Sequence, residues 1–166
     1  ILPIFGKIFE KIIYKRLYTF FTANGILHDD QFGFRKGHST THALHKSVHT
    51  ITKQLAQGNH VLGIFIDLSK AFDTLDHPTL LSKLENYGVR GTALLLFKSY
   101  LTDRSQYVSF SKTTSDTLGI KYGVPQGSIL GPLLFLLYMN DVTNCYTNAD
   151  CKLSLIHISE PTRPID

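Results

Sequence analysis

From Phe5 the apolar positions Ile8, Phe9, Ile12, Leu17, Phe20 and Phe21 recur at helical spacing until Asn24-Gly25 interrupts them. The pattern predicts a helix of about five turns with those residues as its buried stripe and Lys7, Lys11, Lys15 and Arg16 off it. In the following "HDDQFGFRKGHSTTHAL", Gly33 and Gly37 break the period, so a loop or short strand is expected. Ser39, Thr40 or Thr41 can cap a second helix running to about Gln57, with Leu44, Val48, Ile51 and Leu55 as its buried stripe. Gly58-Asn59 reads as a turn. Val61 to Ile66 is apolar at every position, which predicts a short strand buried on both faces and central in its sheet.

Asp76-His77-Pro78 marks a helix start, with Asp76 or His77 near the cap and proline in the first turn. That helix should end at Gly88, and another should run from about Thr92 to Leu101. "QYVSF" and "TLGIKYG" suit paired strands around the polar turn Ser111 to Asp116. "GVPQGS" is a loop, and Ile129 to Tyr138 an apolar, buried helix. Helices and strands mix without a regular βαβ period, which favours the α+β class.

Composition narrows this little. The 166 residues, 43% hydrophobic and 18% charged, are those of an ordinary globular chain and form one domain or part of one. The net charge of +4 leans weakly toward a polyanionic partner. Cys145 and Cys151, the two cysteines, make neither a disulfide framework nor a zinc knuckle, which favours a reducing compartment. No apolar run reaches a membrane span, and no targeting signal is seen. The chain starts at Ile1, already on the edge of an amphipathic pattern, as a fragment would.

Three segments carry candidate chemistry. "IFIDLSKAFDTLD" ends its apolar run at Asp67, where a carboxylate should cap a turn, pair with a base or hold a metal. Lys70-Ala71 and Phe72 then add a tight turn with backbone N–H groups and an aromatic ring. These parts suit nucleotidyl transfer: a carboxylate for Mg²⁺, amides for a triphosphate, a flat wall for the sugar. In "GVPQGS", Ser128 can simply cap the next helix. Alternatively, Gln126 meets a base or sugar edge while Gly127 leaves room for a nucleotide. In "QFGFRKGHST", Arg35 and Lys36 suit phosphate contact or form a solvated basic loop. His38, His42, His45 and His49 share one helical face, roughly 120° from the apolar stripe. A polar face is the default there over a zinc site, since no acid or cysteine supports them.

Taken together and in order, "LPIFGKIFEKIIYKRL", "HDDQFGFRKGHSTTHAL", "GIFIDLSKAFDTLDH", "YGVRGTALLLFKSYLTDRSQYV" and "GVPQGSILGPLLFLLYMND" resemble the reverse transcriptase of jockey-like non-LTR retrotransposons. The resemblance covers Ile1 to about Lys152. It implies a right-hand polymerase fold of which this chain holds the fingers and part of the palm. It also implies RNA template, DNA primer and dNTPs as partners, with two Mg²⁺ ions in the complete enzyme. An intracellular location in cytoplasm and nucleus is expected from the family, with no membrane and no stable protein partner.

The resemblance assigns residues in turn. Asp67 matches the first catalytic aspartate, a metal ligand, with the Leu68 carbonyl assisting. Lys70 and Ala71 match the turn whose amides meet the triphosphate, and Phe72 the ring that excludes a ribose 2′-OH. Arg35 matches the fingers base that grips the triphosphate. Gln126 and Gly127 match the loop beside nucleotide and template. Asp73 and Asp76 fit the pattern as turn and cap residues. The family's later Asp-Asp turn is missing. In its place Leu153 to Arg163 reads as a translated sequencing adapter, so 153–166 is expected to be non-native and the chain inactive. A non-catalytic nucleic-acid-binding module and an inert piece of a decayed element are the competing readings.

Overall fold

The computed structural model describes residues 4–111, 113–125 and 127–142. These fall into two compact units: residues up to 26 with 68–139, and residues 27–67 with those from 140.

The first unit is built on helix α5 (Gly131–Tyr138), whose Leu133, Leu134, Phe135, Leu136 and Leu137 are all at most 2% exposed. A helix apolar on every side has to be surrounded. Burying each such side chain contributes on the order of 2 kcal/mol of transfer free energy. Its neighbour α3 (His77–Asn86) supplies Leu80 and Leu84, and α4 (Thr92–Leu101) packs on α3 through Phe97 and Leu101. Asp76 caps α3, accepting from the Thr79 amide at 2.9 Å, with Pro78 in the first turn as the sequence leads one to expect. Lys83 closes the far end of α5 by donating to the Tyr138 carbonyl at 2.6 Å.

Helix α1 (Ile4–Ala23) has the expected limits but a different buried face. Glu10, Leu17 and Phe21 are buried, whereas Ile8 (53% exposed), Phe9 (54%) and Ile12 (52%) are not. Tertiary contact selects the row 10, 17 and 21, which places a carboxylate inside.

Between α4 and α5 lies the expected antiparallel hairpin, in two short ladders. Strands β1 (Ser105–Gln106) and β4 (Leu118–Gly119) pair, and β2 (Ser109–Phe110) pairs with β3 (Thr113–Thr114). The turn is tighter than the expected Ser111 to Asp116, and α5 begins two residues later than Ile129.

In the second unit, turns cover residues 28–38 before α2 (Thr40–Ala56), which Ser39 caps by accepting from the His42 amide. The expected stripe on α2 is not buried: exposure runs from 39% at Ile51 to 65% at Leu44, and only Ala43 is enclosed. Caps suffice to form the helix, but an amphipathic face stays wet until another element covers it.

The expected central strand at Val61 to Ile66 is corrected as well. The segment has no regular structure, and Leu62 (85%), Phe65 (97%) and Ile66 (70%) lie open to solvent. A strand exists only through a hydrogen-bonded neighbour, and none of the described strands pairs with it. Helices with a little antiparallel strand remain compatible with the α+β class. No helix among the described residues is long and apolar enough to cross a membrane.

Candidate functional site

The turn after Asp67 and the loop before α5 are clamped together. The Val124 amide donates to the Phe72 carbonyl at 3.0 Å, and the Gly123 amide to the Leu75 carbonyl at 2.7 Å. Buried His77 donates from Nε2 to the Gly123 carbonyl at 2.7 Å. Gly123 permits this approach: at φ +82° it would place a Cβ 2.8 Å from the Asp73 Cα. Two segments some fifty residues apart in the chain thus become one local structure.

Within that structure Lys70 adopts φ +55°, an uncommon conformation for a lysine, and its carbonyl accepts from the Asp73 amide at 2.9 Å. Ala71 and Phe72 are half-buried, and the Phe72 ring packs at 5.0 Å between centroids on Phe135 of α5. Gly127 is exposed at φ +73° with open space around it. Gln126 lies outside the described residues. Ser128 accepts from the Gly131 amide at 2.8 Å, but the cap position of α5 is Leu130, not Ser128 as the sequence allowed.

Behind the loop is a network with no sequence motif. Glu10 is 3% exposed and uses both oxygens, accepting from the Tyr100 hydroxyl and from the Ile129 amide, each at 2.7 Å. Burial, with Glu10 as acceptor, holds the Tyr100 phenol well above its ordinary range, against the opposing pull of Ser128 and Arg104. Tyr100 therefore stays a donor. A cavity of about 170 Å³ adjoins it, lined by Phe9, Ile13, Leu96, Phe97 and Leu130 with Glu10, Tyr100 and Arg104. No local signal marked Glu10, since the row 10, 17 and 21 is singled out only by its burial.

Arg35 and Asp67 belong to the second unit. Arg35 donates from Nη1 to the His28 carbonyl at 2.6 Å and to the Gln31 carbonyl at 3.3 Å, stapling its own loop. Its Nε is buried without an acceptor among the described residues. Lys36 is exposed, and Lys46 pairs with Asp30 at 2.7 Å. Asp67 is exposed, as is Leu68 (41%). Among the described residues no three His, Cys, Asp or Glu side chains gather to hold a metal.

A family model described as reverse transcriptase (RNA-dependent DNA polymerase) matches residues 1–157. The chain is 36% identical over 91% of its length to a probable RNA-directed DNA polymerase from transposon BS of Drosophila melanogaster. It is 37% identical over 86% to that from transposon X-element of the same fly, and 36% identical over 86% to the RNA-directed DNA polymerase from mobile element jockey. It spans only 17%, 16% and 15% of the length of these relatives, respectively. With nearly the whole chain matched, from the α1 residues to the segment beyond α5, this protein belongs to the reverse transcriptase (RNA-dependent DNA polymerase) family.

Proposed function

We propose that the chain supplies the fingers and the first part of the palm of a right-hand polymerase. The complete protein would be the RNA-directed DNA polymerase of a non-LTR retrotransposon, extending a DNA primer on an RNA template with dNTPs. The observation that supports this reading is the clamp of Gly123 and Val124 onto the Phe72 turn, which joins the two segments that carry proposed nucleotide contacts.

In this reading the Lys70 and Ala71 amides and Arg35 hold the triphosphate. Arg35 would do so through donors other than the Nη1 that serves its own loop. The Phe72 ring stands against the sugar, where its bulk rejects a 2′-OH. Gln126 and Gly127 flank the base. Asp67 is the catalytic carboxylate, with the Leu68 carbonyl beside it. The cofactor would be Mg²⁺, two ions in the complete enzyme. Magnesium takes a near-octahedral oxygen set, and one exposed carboxylate with a neighbouring carbonyl does not make a whole site. After Tyr138 the sequence has no adjacent pair of aspartates, so the 166-residue chain by itself is expected not to polymerise.

The test is primer extension on an RNA template with Mg²⁺ and dNTPs. The complete polymerase should extend, and its Asp67→Asn variant should lose extension by at least about a thousandfold. The chain alone should give none. Unchanged extension by the Asp67→Asn variant would reject the assignment, and RNA binding without extension by the complete protein would favour the binding-module reading.

A further inference from the structure

The segment from Gly123 to Gly131 is held by hydrogen bonds at both ends. Upstream, Gly123 and Val124 are bonded to the backbone of Leu75 and Phe72, and His77 holds the Gly123 carbonyl. Downstream, the Ile129 amide is held by Glu10 and the Gly131 amide by Ser128. Between these points Gly127 is exposed with open space about it.

We propose that Glu10, on α1 and far from the turn and loop in sequence, is a positioning residue for nucleotide binding, acting through the backbone at Ile129 where the loop leaves Gly127 and Ser128 to enter α5. This rests on the reading of that loop as the nucleotide's neighbour. Glu10 faces two donors, the Ile129 N–H and the Tyr100 O–H. A carboxylate is the acceptor-only group that satisfies both at once. A buried carboxylate is costly unless hydrogen-bonded, and here each oxygen has a partner. One partner is on α4 and the other is the backbone just ahead of α5, whose cap residue Leu130 provides no side-chain bond. Loss of Glu10 removes the acceptor of the part-buried Ile129 amide, and the simplest relief is for residues 127–130 to move outward. The core around Leu80, Leu84 and Leu134 is buried by apolar packing and should hold.

Glutamine tests the logic. Its carbonyl can accept from Ile129 while its NH₂ donates to the Tyr100 oxygen, so Glu10→Gln should restore most of the function that Glu10→Ala loses. In the complete polymerase, RNA-templated extension is measured over a range of dNTP concentrations, together with amide hydrogen exchange. Glu10→Ala should raise the KM for dNTP about tenfold with kcat within about threefold, and Glu10→Gln should return KM to within about threefold of the parent. Exchange should quicken at residues 127–131 while α3 is unaffected. An unchanged KM, or exchange that quickens equally through α3, α4 and α5, would overturn the proposal. If Glu10→Ala does not fold, Tyr100→Phe decides, since it frees one oxygen and keeps the ring: a KM rise of about threefold supports the proposal and no rise rejects it. The Asp67→Asn variant, run alongside, separates the two ideas. If it still extends, the catalytic assignment fails while the exchange data still judge Glu10.

Discussion

Phe72 is half-buried with its ring against Phe135, so one side chain has both a packing partner and an exposed flank. In the complete polymerase, Phe72→Val should raise ribonucleotide incorporation by about a hundredfold, the effect of relieving a clash of about 3 kcal/mol. Competition between rNTP and dNTP in primer extension checks it. Loss of the aromatic pair should also lower stability by about 1 kcal/mol, visible in thermal unfolding. Asp76 gives a pH-dependent counterpart. Hydrogen bonds from the Thr79 side chain and then its amide hold the Asp76 carboxyl below its ordinary value of 3.8. A depressed acid stabilises the fold fully above its unfolded pKa and loses that contribution as pH falls through the folded one. Asp76→Ala should therefore lower Tm at neutral pH, and the gap from the parent should close below pH 3.8. Asp76 was legible as a cap because the Asp-His-Pro order is local chemistry. Glu10 was not, because only the tertiary arrangement says which face of α1 is inside.

Among elements, α3 and α4 lie where their caps and breakers place them, and α5 follows from its continuous apolar run. Local signals sufficed for these. The clamp between residues 72–77 and 123–124 is different, since no local pattern announces contact between segments so far apart. It gives a sharp expectation. Gly123→Ala should destabilise the protein by at least about 2 kcal/mol, because the added Cβ meets backbone that is itself hydrogen-bonded and the φ is unfavourable for alanine. Chemical denaturation measures it. Gly127→Ala should cost less, about 1 kcal/mol, as its φ is similar but the space is open.

At the scale of the whole molecule, three apolar surfaces expected to be covered are not: the Ile8, Phe9 and Ile12 side of α1, the stripe on α2 and the segment 61–66. The last has six residues, no charge and no proline, the composition that pairs readily with another chain's strand. The 166-residue chain should therefore aggregate, and Phe65→Lys should raise its soluble fraction in light scattering. As Phe65 is 97% exposed, Tm should change little. A fall in Tm would mean that Phe65 is buried in solution.

The sequence by itself determined what is written in neighbouring residues. It determined the approximate limits of α2, α3 and α4, the candidate caps of α2 and α3, the hairpin, the buried character of α5, and the order of segments that marks a reverse transcriptase. Those depend on backbone propensity, on hydrogen bonds a few residues long and on the chemistry of single side chains. Only the tertiary structure decided which stripe of α1 faces inward, that Glu10, Tyr100 and Ile129 meet, and that Gly123 rests on Asp73. It alone also left residues 61–66 unpaired. Each of these depends on a partner distant in the chain. A periodic pattern says that a face or a strand can be buried, but burial requires something on the other side.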